Sequence, residues 1–452
     1  MKQRSTPLRA LAALLLISLC GMLLLCSCSD ARSVVGASVN DAGELILSYS
    51  DGTTENLGLV KGADGEDGAP GIRGEAGKRG KDGVDGEKGE PGRDGQNGDD
   101  GVDGANGVIT IVPDSDTVAL ACAKGLRSSV SILCKFPSGA SAGSGVIYQI
   151  DRASGDALII TNYHVVYDSG RISDSISVYL YAMEYEDFAM EATYVGGSMA
   201  YDIAVLSVKG SDVLKRSDAV AVTVADSEQT RVGDSAIAIG NPKNLGIAAS
   251  LGIVSVDSEQ IPMTASDGVT SVTMRVMRID TAVNSGNSGG GLFNVAGELI
   301  GIVNAKIIAE NVENIGYAIP SNLAVAVAEN IIDHCLDTST KTVMRASLGV
   351  TVTLSDVKSE YDATSGQIRV CETVVIMSVT EGGAADGKLQ VNDTILSVAL
   401  NDGEPMTVTR KHHLIDRMLD VRVGDTLTFV VLRGDTEQTV SVTITEADMT
   451  AY

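Results

Sequence analysis

The sequence predicts a mainly β protein in which two globular units follow a repetitive triple-helical tract. Three observations support this prediction. Short apolar stretches separated by turn-forming residues recur through residues 115–336, which is typical of β-barrels and β-sandwiches. A smaller unit follows at residues 343–447, with its own short strands and one predicted helix at 412–419. From residue 62 to residue 107, every third residue is glycine.

The composition excludes several classes of protein. The 452 residues include 34 Lys and Arg against 59 Asp and Glu, so the formal net charge is −25. A chain this acidic is a poor ligand for phosphate backbones, and we expect no nucleic-acid partner. With 44% hydrophobic residues the chain can form large cores, while 7 cysteines are too few for a disulfide scaffold.

Residues 1–28 have the features of an export signal. Basic residues precede an apolar stretch at 8–25, which ends in Leu25-Cys26-Ser27-Cys28. This ending resembles the bacterial signal after which the cysteine, here Cys28, is lipidated. An uncleaved membrane anchor and ordinary secretion remain open, because about 18 apolar residues can just span a bilayer. Each alternative places the rest of the chain outside the cytoplasm, and we expect it in the bacterial cell envelope.

The next two segments predict a short β-hairpin and a collagen-like rod. Residues 29–61 contain Asp51-Gly52 between two extended runs, which favours a tight turn. Residues 62–109 carry the glycine repeat, and only glycine fits at the axis of a collagen triple helix. Proline occurs in the tract only at Pro70 and Pro91, so a flexible glycine-rich linker is the alternative. A triple helix needs three chains, and we therefore expect a homotrimer or a multiple of it.

Three residues of the 115–336 unit predict acyl-transfer chemistry. Ser288 lies in Gly286-Asn287-Ser288-Gly289-Gly290, where glycines let backbone amides turn toward an oxyanion. His164 follows a short apolar strand and is the candidate general base, while Asp202 precedes a buried strand and would orient it. A glycine–serine turn, a structural histidine and a turn aspartate are the corresponding alternatives. The chain order His, Asp, Ser is that of proteases built from two β-barrels.

Residues 115–447 resemble the HtrA/Deg family, in which a trypsin-like serine protease precedes a PDZ domain. The resemblance rests on five motifs in the family's order, at residues 143–147, 161–166, 202–206, 283–290 and 316–322. It implies a double six-stranded β-barrel at 115–336 and a small α+β PDZ domain at 343–447. It also implies that His164, Asp202 and Ser288 are catalytic and that Gly286, Asn287 and Ser288 form the oxyanion hole. Ser285 and Gly291 replace prolines that are usual in the family, which favours a loop that needs activation.

The resemblance also suggests where substrates bind. Ala282 occupies the position at which pockets for Lys or Arg carry an aspartate. The mostly apolar strand residues Gly301, Ile302, Val303 and Asn304 would line the same pocket, so we expect cleavage after small or medium aliphatic residues. Leu348, Gly349 and Val350 resemble the carboxylate-binding loop of a PDZ domain, which predicts C-terminal peptides as partners. A purely structural cap on the protease is the alternative for this domain.

Together these patterns predict an extracytoplasmic serine endopeptidase that cleaves unfolded or misfolded envelope proteins, without a cofactor or a metal ion. The mature cysteines lack metal-binding spacing, and a Cys122–Cys134 bridge remains open. The alternative function is that of a surface adhesion protein, which would use the collagen-like tract and the PDZ domain and would keep the protease fold without activity.

Overall fold

The computed structural model describes residues 34–39, 44–50, 52–59, 115–305, 315–336, 338–362 and 367–452. The predicted export signal with Cys28, and the glycine-repeat tract at 62–109, lie outside these residues. The chain divides into two compact units, Met1–Val102 and Asp103–Tyr452. Among the described residues, no helix is both long and apolar enough to cross a bilayer.

The first unit contains a three-stranded antiparallel sheet. Its strands, in the order β1-β2-β3, are β1 (Val34–Val39), β2 (Glu44–Tyr49) and β3 (Thr54–Leu59). The turn between β2 and β3 is closed by a hydrogen bond from the Gly52 amide to the Tyr49 carbonyl at 3.0 Å. Gly52 has φ = 82°, a left-handed conformation that favours glycine. Strand β1 adds a third strand to the segment for which the sequence predicts a hairpin.

The first described element of the second unit is helix α1 (Ser115–Ser128), which leads into a closed six-stranded barrel. In hydrogen-bonded order, its strands are β10 (Met190–Ser198), β11 (Ile203–Val208), β6 (Asp156–Thr161), β5 (Gly139–Asp151), β4 (Ser129–Phe136) and β9 (Ser175–Leu180). Strand β11 is buried along its whole length, so its apolar run Ile203-Ala204-Val205-Leu206 contributes to the core on both faces. The other elements of this part are α2 (Tyr163–Val166), β7 (Tyr167–Asp168), β8 (Arg171–Ile172) and α3 (Asp212–Arg216).

A second closed barrel follows, with the strand order β12-β13-β14-β17-β16-β15. Its strands are β12 (Ser235–Gly240), β13 (Ala248–Thr264), β14 (Ser271–Ile279), β15 (Gly291–Phe293), β16 (Leu299–Asn304) and β17 (Gly316–Pro320), and helix α4 (Ser321–Cys335) comes next. Short 3-10 turns lie at Glu186–Phe188, Ser227–Gln229 and Pro242–Asn244. The two six-stranded barrels confirm the fold class that the sequence predicts.

The C-terminal domain contains a six-stranded sheet in the order β19-β20-β21-β23-β24, in which the short strand β22 also pairs with β21, and a short helix packs against it. Helix α5 (Lys411–Asp420) forms where the sequence predicts a helix at 412–419. The strands are β18 (Met344–Ala346), β19 (Val350–Asp362), β20 (Gln367–Val379), β21 (Thr394–Leu400), β22 (Met406–Thr407), β23 (Thr426–Arg433), β24 (Thr436–Thr443) and β25 (Met449–Ala451). The core of this domain surrounds the fully buried Phe429.

Helices α4 and α5 join the double barrel to the C-terminal domain. Asn330, fully buried on α4, donates hydrogen bonds to the carbonyls of Met344 at 2.7 Å and Leu419 at 2.8 Å. Its Oδ1 accepts from the Met344 amide at 2.9 Å. Because a buried amide must be hydrogen-bonded, Asn330 fixes the position of both segments relative to the barrels.

Candidate active site

His164 and Asp202 form a hydrogen-bonded pair between the two barrels. His164 lies on the single-turn helix α2, directly after β6, and Asp202 directly precedes β11, the strand that pairs with β6. The imidazole Nδ1 lies 2.7 Å from Oδ2 of Asp202, and the His164 backbone amide donates to Oδ1 at 2.9 Å. Asp202 thereby holds both the ring and the backbone of His164, and its carboxylate contacts Nδ1 rather than Nε2.

Asp202 is buried in an unusual backbone conformation. Its φ is 51°, a left-handed value that costs about 1 kcal/mol or more for a residue with a side chain. Its carbonyl accepts hydrogen bonds from the Tyr163 amide at 3.2 Å and from Nδ2 of Asn162 at 2.9 Å. Its Oδ2 also accepts from Nδ2 of Asn304 at 2.8 Å. These contacts compensate for the strain and satisfy a buried carboxylate that would otherwise be costly.

Ser288 lies between the two barrels and near the same pair. Its carbonyl accepts a hydrogen bond from the Ser144 amide of the first barrel at 2.8 Å, and its Oγ accepts one from the Ala305 amide of the second barrel at 3.2 Å. Asn304 and Ala305 are consecutive, so adjacent residues contact Asp202 and Ser288. Within the described residues, no hydrogen bond joins Ser288 to His164. The structure therefore shows His164 and Asp202 paired, with the Ser288 hydroxyl held by a backbone amide.

The loop before Ser288 is fixed by hydrogen bonds to neighbouring strands and turns. The Ser285 carbonyl accepts from the Lys243 amide at 2.8 Å. The Gly286 carbonyl accepts from Oγ of Ser144 at 2.7 Å, and that Oγ accepts in turn from the Asn241 amide at 2.8 Å. Neither the Gly286 nor the Ser288 amide donates to another described residue. Two unengaged amides on an anchored loop are what an oxyanion hole requires.

Glycine is required at two positions of this loop. Gly286 has φ = 98°, and a Cβ there would lie 2.2 Å from the Asn241 carbonyl oxygen. Gly289 has φ = 83°, and a Cβ there would lie 2.2 Å from the Ser144 carbonyl oxygen. Both a left-handed backbone and close packing against main-chain oxygens exclude larger residues. The glycines therefore allow the loop to pack tightly enough to present its amides.

The residues predicted to line a substrate pocket occupy different surroundings. Ala282 is exposed, and its carbonyl accepts from Oγ of Ser250 at 3.1 Å. Gly301 is buried in β16, while the Ile302 and Val303 side chains are fully buried and belong to different apolar clusters. Asn304 is also fully buried, with its side-chain amide on Asp202. Among the predicted pocket residues, only Ala282 is exposed to solvent.

The C-terminal domain contains a groove between the start of β19 and helix α5. The cavity has a volume of about 360 Å³, and Leu348, Gly349 and Val350 line it. Gly349 has φ = 70°, and neither its amide nor that of Leu348 donates to a described residue. Unengaged amides at a tight turn are suited to a peptide carboxylate. Residues of the second barrel, among them Met274 and Arg275, line the opposite side of this groove.

Among the described cysteines, Cys134 is the one whose thiol is most strongly held in its protonated form. Cys122, Cys134, Cys335 and Cys371 are free thiols among the described residues. Burial raises the pKa of Cys134 to about 12, although a hydrogen bond from Ser173 opposes the shift. A thiol with so high a pKa is almost entirely protonated near neutral pH, which makes it unreactive.

Sequence reasoning did not identify the roles of two residues that the structure brings to the site. Ser144 belongs to a Gly-Ser-Gly motif that supports the resemblance, but its role as an anchor depends on Gly286, which is 142 residues away. Asn304 was expected to line the substrate pocket, and it contacts Asp202 instead. The only sequence signal for this contact is a polar residue at the end of an otherwise apolar strand.

Comparisons with known proteins identify three regions of the chain. The Trypsin-like peptidase domain family matches residues 143–302, the Collagen triple helix repeat family matches 59–110, and the PDZ domain family matches 346–444. The first match contains His164, Asp202 and Ser288, and the third contains the groove residues Leu348, Gly349 and Val350.

Relatives along the combined protease and PDZ regions come from several bacteria. The chain is 33% identical to "Serine protease Do-like HtrA" of Lactococcus lactis subsp. cremoris, over 68% of this chain and 71% of that protein. It is 32% identical to the protein of the same name from Bacillus subtilis, of which it spans 64%. It is 29% identical to "Probable periplasmic serine endoprotease DegP-like" of Pseudomonas putida, over 67% of this chain and 56% of that protein.

Proposed function

Because the chain belongs to the HtrA family of serine proteases, we propose that it is an endopeptidase that hydrolyses peptide bonds through an acyl-enzyme on Ser288. The observation that carries the proposal is the 2.7 Å contact between His164 and Asp202, in a fold where the Gly286 and Ser288 amides donate to no described residue. A carboxylate on Nδ1 fixes the tautomer in which Nε2 accepts a proton. The residues therefore match the roles of base, orienting group and nucleophile.

In the proposed reaction, Ser288 Oγ exchanges its hydrogen bond from Ala305 for one to His164. His164 removes the hydroxyl proton as Oγ attacks the substrate carbonyl, and the buried Asp202 stabilises the resulting imidazolium. The Gly286 and Ser288 amides would donate to the oxyanion that forms. His164 then returns the proton to the leaving amine, and water repeats the sequence to release the acyl group from Ser288.

We propose that the enzyme cleaves after residues with small or medium aliphatic side chains. The support is chemical: Ala282, the exposed residue of the predicted pocket, offers no negative charge to a lysine or an arginine. Mapping the cleavage sites in an unfolded protein by mass spectrometry tests this assignment. Cleavage mainly after basic or acidic residues would contradict it.

We propose that the substrates are unfolded or misfolded proteins of the bacterial cell envelope and that the groove of the C-terminal domain binds peptide C-termini. The groove combines apolar side chains such as Leu414 and Met418 with charged ones such as Arg345 and Lys411, and the Leu348 and Gly349 amides donate to no described residue. Export is supported by the apolar segment at 8–25, and lipidation of Cys28 would anchor the protein to a membrane. The Pseudomonas putida relative is named as a probable periplasmic endoprotease, which is consistent with this location.

We also propose that the chain assembles as a trimer or a multiple of it. The collagen repeat at 59–110 requires three chains, because its glycine edge is buried only by two others. Sedimentation equilibrium of the purified protein should give a mass of three chains or a multiple of three. A monomer mass would contradict the triple helix.

The whole chain should cleave an unfolded protein, and the Ser288→Ala variant should not. Loss of a catalytic serine leaves only binding and oxyanion effects, which corresponds to a fall of about 10⁴-fold or more. If the wild-type protein shows no cleavage under any activating condition, the alternative of a surface adhesion protein with an inactive protease fold is favoured.

A further inference from the structure

Three side chains converge where the second barrel meets the C-terminal domain. Glu228 lies in the 3-10 turn Ser227–Gln229, while His412 and His413 open helix α5. Nε2 of His412 lies 3.3 Å from Oε2 of Glu228, and Nε2 of His413 lies 3.2 Å from the same oxygen. The three atoms all lie within 4.8 Å of one another. Two imidazoles and a carboxylate therefore direct their donor atoms toward one point.

We propose that Glu228, His412 and His413 bind a divalent transition-metal ion of the zinc class, which links the protease to the C-terminal domain. In a tetrahedral zinc site with bonds of about 2.0–2.1 Å, neighbouring ligand atoms lie about 3.3–3.4 Å apart. The two observed separations from the carboxylate oxygen are close to this value. The imidazole rings are nearly perpendicular, at 87° with centroids 4.7 Å apart, so their nitrogens approach the point from different directions.

The donor set determines which metals would bind. Two imidazoles with one carboxylate suit zinc, copper, nickel or iron, whereas magnesium and calcium prefer oxygen ligands alone. Three protein ligands leave the fourth tetrahedral position to water. About a third of the Glu228 side chain is exposed, so an ion can enter from solvent. The side chains of His412 and His413 are 8% and 15% exposed, which limits the site to a small ion.

The surrounding charges allow a cation to bind. Arg275 donates to Oε1 of Glu228 at 3.1 Å and to Oδ2 of Asp416 at 2.5 Å. The guanidinium thus donates to the carboxylate oxygen that faces away from the histidines, while Oε2 faces them. With neutral imidazoles, two carboxylates and one guanidinium give the cluster one net negative charge. Arg410 directly precedes helix α5, and its guanidinium nitrogens lie 3.8 Å from a carboxylate oxygen of Asp257 and 3.8 Å from one of Glu372.

A metal ion at this point would affect the peptide groove. His412 also lines the groove, together with the turn at Leu348 and Gly349. Metal binding would fix the start of α5 to the second barrel and thus fix one wall of the groove relative to the protease. Any effect of the metal on peptide affinity must be matched by an equal effect of peptide on metal affinity. The metal site itself does not depend on whether the protein is a protease.

The test is to remove metal from the full chain with a chelator and then to titrate zinc into it, with binding measured by isothermal calorimetry. We expect one zinc ion per chain. His413→Asn and Glu228→Gln should each weaken binding at least about tenfold, because each removes one of three ligands. His334→Asn, which changes a histidine of α4 outside the cluster, should bind as the wild type does. Thermal melts in chelator establish that each variant is folded.

A second measurement needs no variant. Cobalt(II) added to the metal-free wild-type protein should give the visible absorption bands of a tetrahedral site with nitrogen and oxygen ligands, and zinc should displace them. The proposal is wrong if the wild-type protein takes up no stoichiometric zinc or cobalt. It is also wrong if Glu228→Gln and His413→Asn bind zinc as tightly as the wild type. In those cases the cluster is a set of ion pairs that holds the two domains together.

Discussion

The Ser144 hydroxyl offers a sharp test of how the nucleophile loop is held. Ser144 is fully buried in β5, where Oγ donates to the Gly286 carbonyl at 2.7 Å and accepts from the Asn241 amide at 2.8 Å. Ser144→Ala leaves both backbone groups without this partner. An unsatisfied buried polar group costs about 1–3 kcal/mol, so we expect a loss of about 2–4 kcal/mol in the free energy of unfolding.

The same substitution should slow catalysis. The Gly286 carbonyl loses its anchor, and the orientation of the Gly286 amide becomes less fixed. Removal of one oxyanion donor typically costs about 10²–10³ in kcat, and we expect a loosened donor to cost about tenfold. Urea denaturation measures the stability, and steady-state cleavage of a peptide substrate measures kcat.

Ser207→Ala is the matched control for this experiment. Ser207 is a barrel serine on β11 that is 5% exposed, and its hydroxyl has no hydrogen-bond partner among the described residues. Its removal should change stability by no more than about 0.5 kcal/mol and leave kcat unchanged. If Ser144→Ala is as stable and as active as Ser207→Ala, the anchoring role of Ser144 is refuted.

Three further predictions concern other parts of the molecule. Asn304→Ala removes a hydrogen bond to the buried Asp202, and such a bond to a charged group is worth about 1.5–3 kcal/mol. We therefore expect kcat to fall roughly 10- to 100-fold with little change in KM. An unchanged kcat would count against a role of Asn304 in holding Asp202. In the C-terminal domain, burial opposes ionisation of Asp393, but hydrogen bonds from Arg433 and the Gln390 amide hold its pKa below the usual 3.8. This stabilisation is present above pH 3.8 and disappears as the pH falls through the lowered pKa. The Tm difference between wild type and Asp393→Asn should therefore be full at pH 7 and shrink below about pH 4. A Tm difference that stays constant with pH would contradict the assignment. Finally, a peptide with a free hydrophobic C-terminus should bind the groove at Gly349 more tightly than its amide in calorimetry, and equal affinities would favour a structural cap.

The fold could be predicted from the sequence because its signals are local. Apolar runs of strand length separated by turns predict barrels or sandwiches, and the family resemblance selects the double barrel. The predicted helix at 412–419 forms at Lys411–Asp420. The motifs around His164, Asp202 and Ser288 could be identified for the same reason. Each consists of adjacent residues whose types are constrained by chemistry, such as the two glycines with left-handed backbones.

The contacts that support these residues could not be predicted, because each joins distant parts of the chain. Asn304 contacts Asp202 over 102 residues, and Glu228 contacts His413 over 185. Two adjacent histidines do not have the spacing that identifies metal ligands within one segment, so the sequence suggested no metal there. Only the packing of the second barrel against α5 brings the carboxylate to them.

Labelling with a fluorophosphonate probe tests the central claim most directly. Such a probe forms a covalent bond only with a serine that an adjacent base activates and an oxyanion hole assists. The account predicts that the whole chain is labelled on Ser288, that labelling is lost in Ser288→Ala, and that it falls strongly in His164→Ala. Absence of labelling under every activating condition, or equal labelling of wild type and Ser288→Ala, would contradict the assignment of a serine endopeptidase.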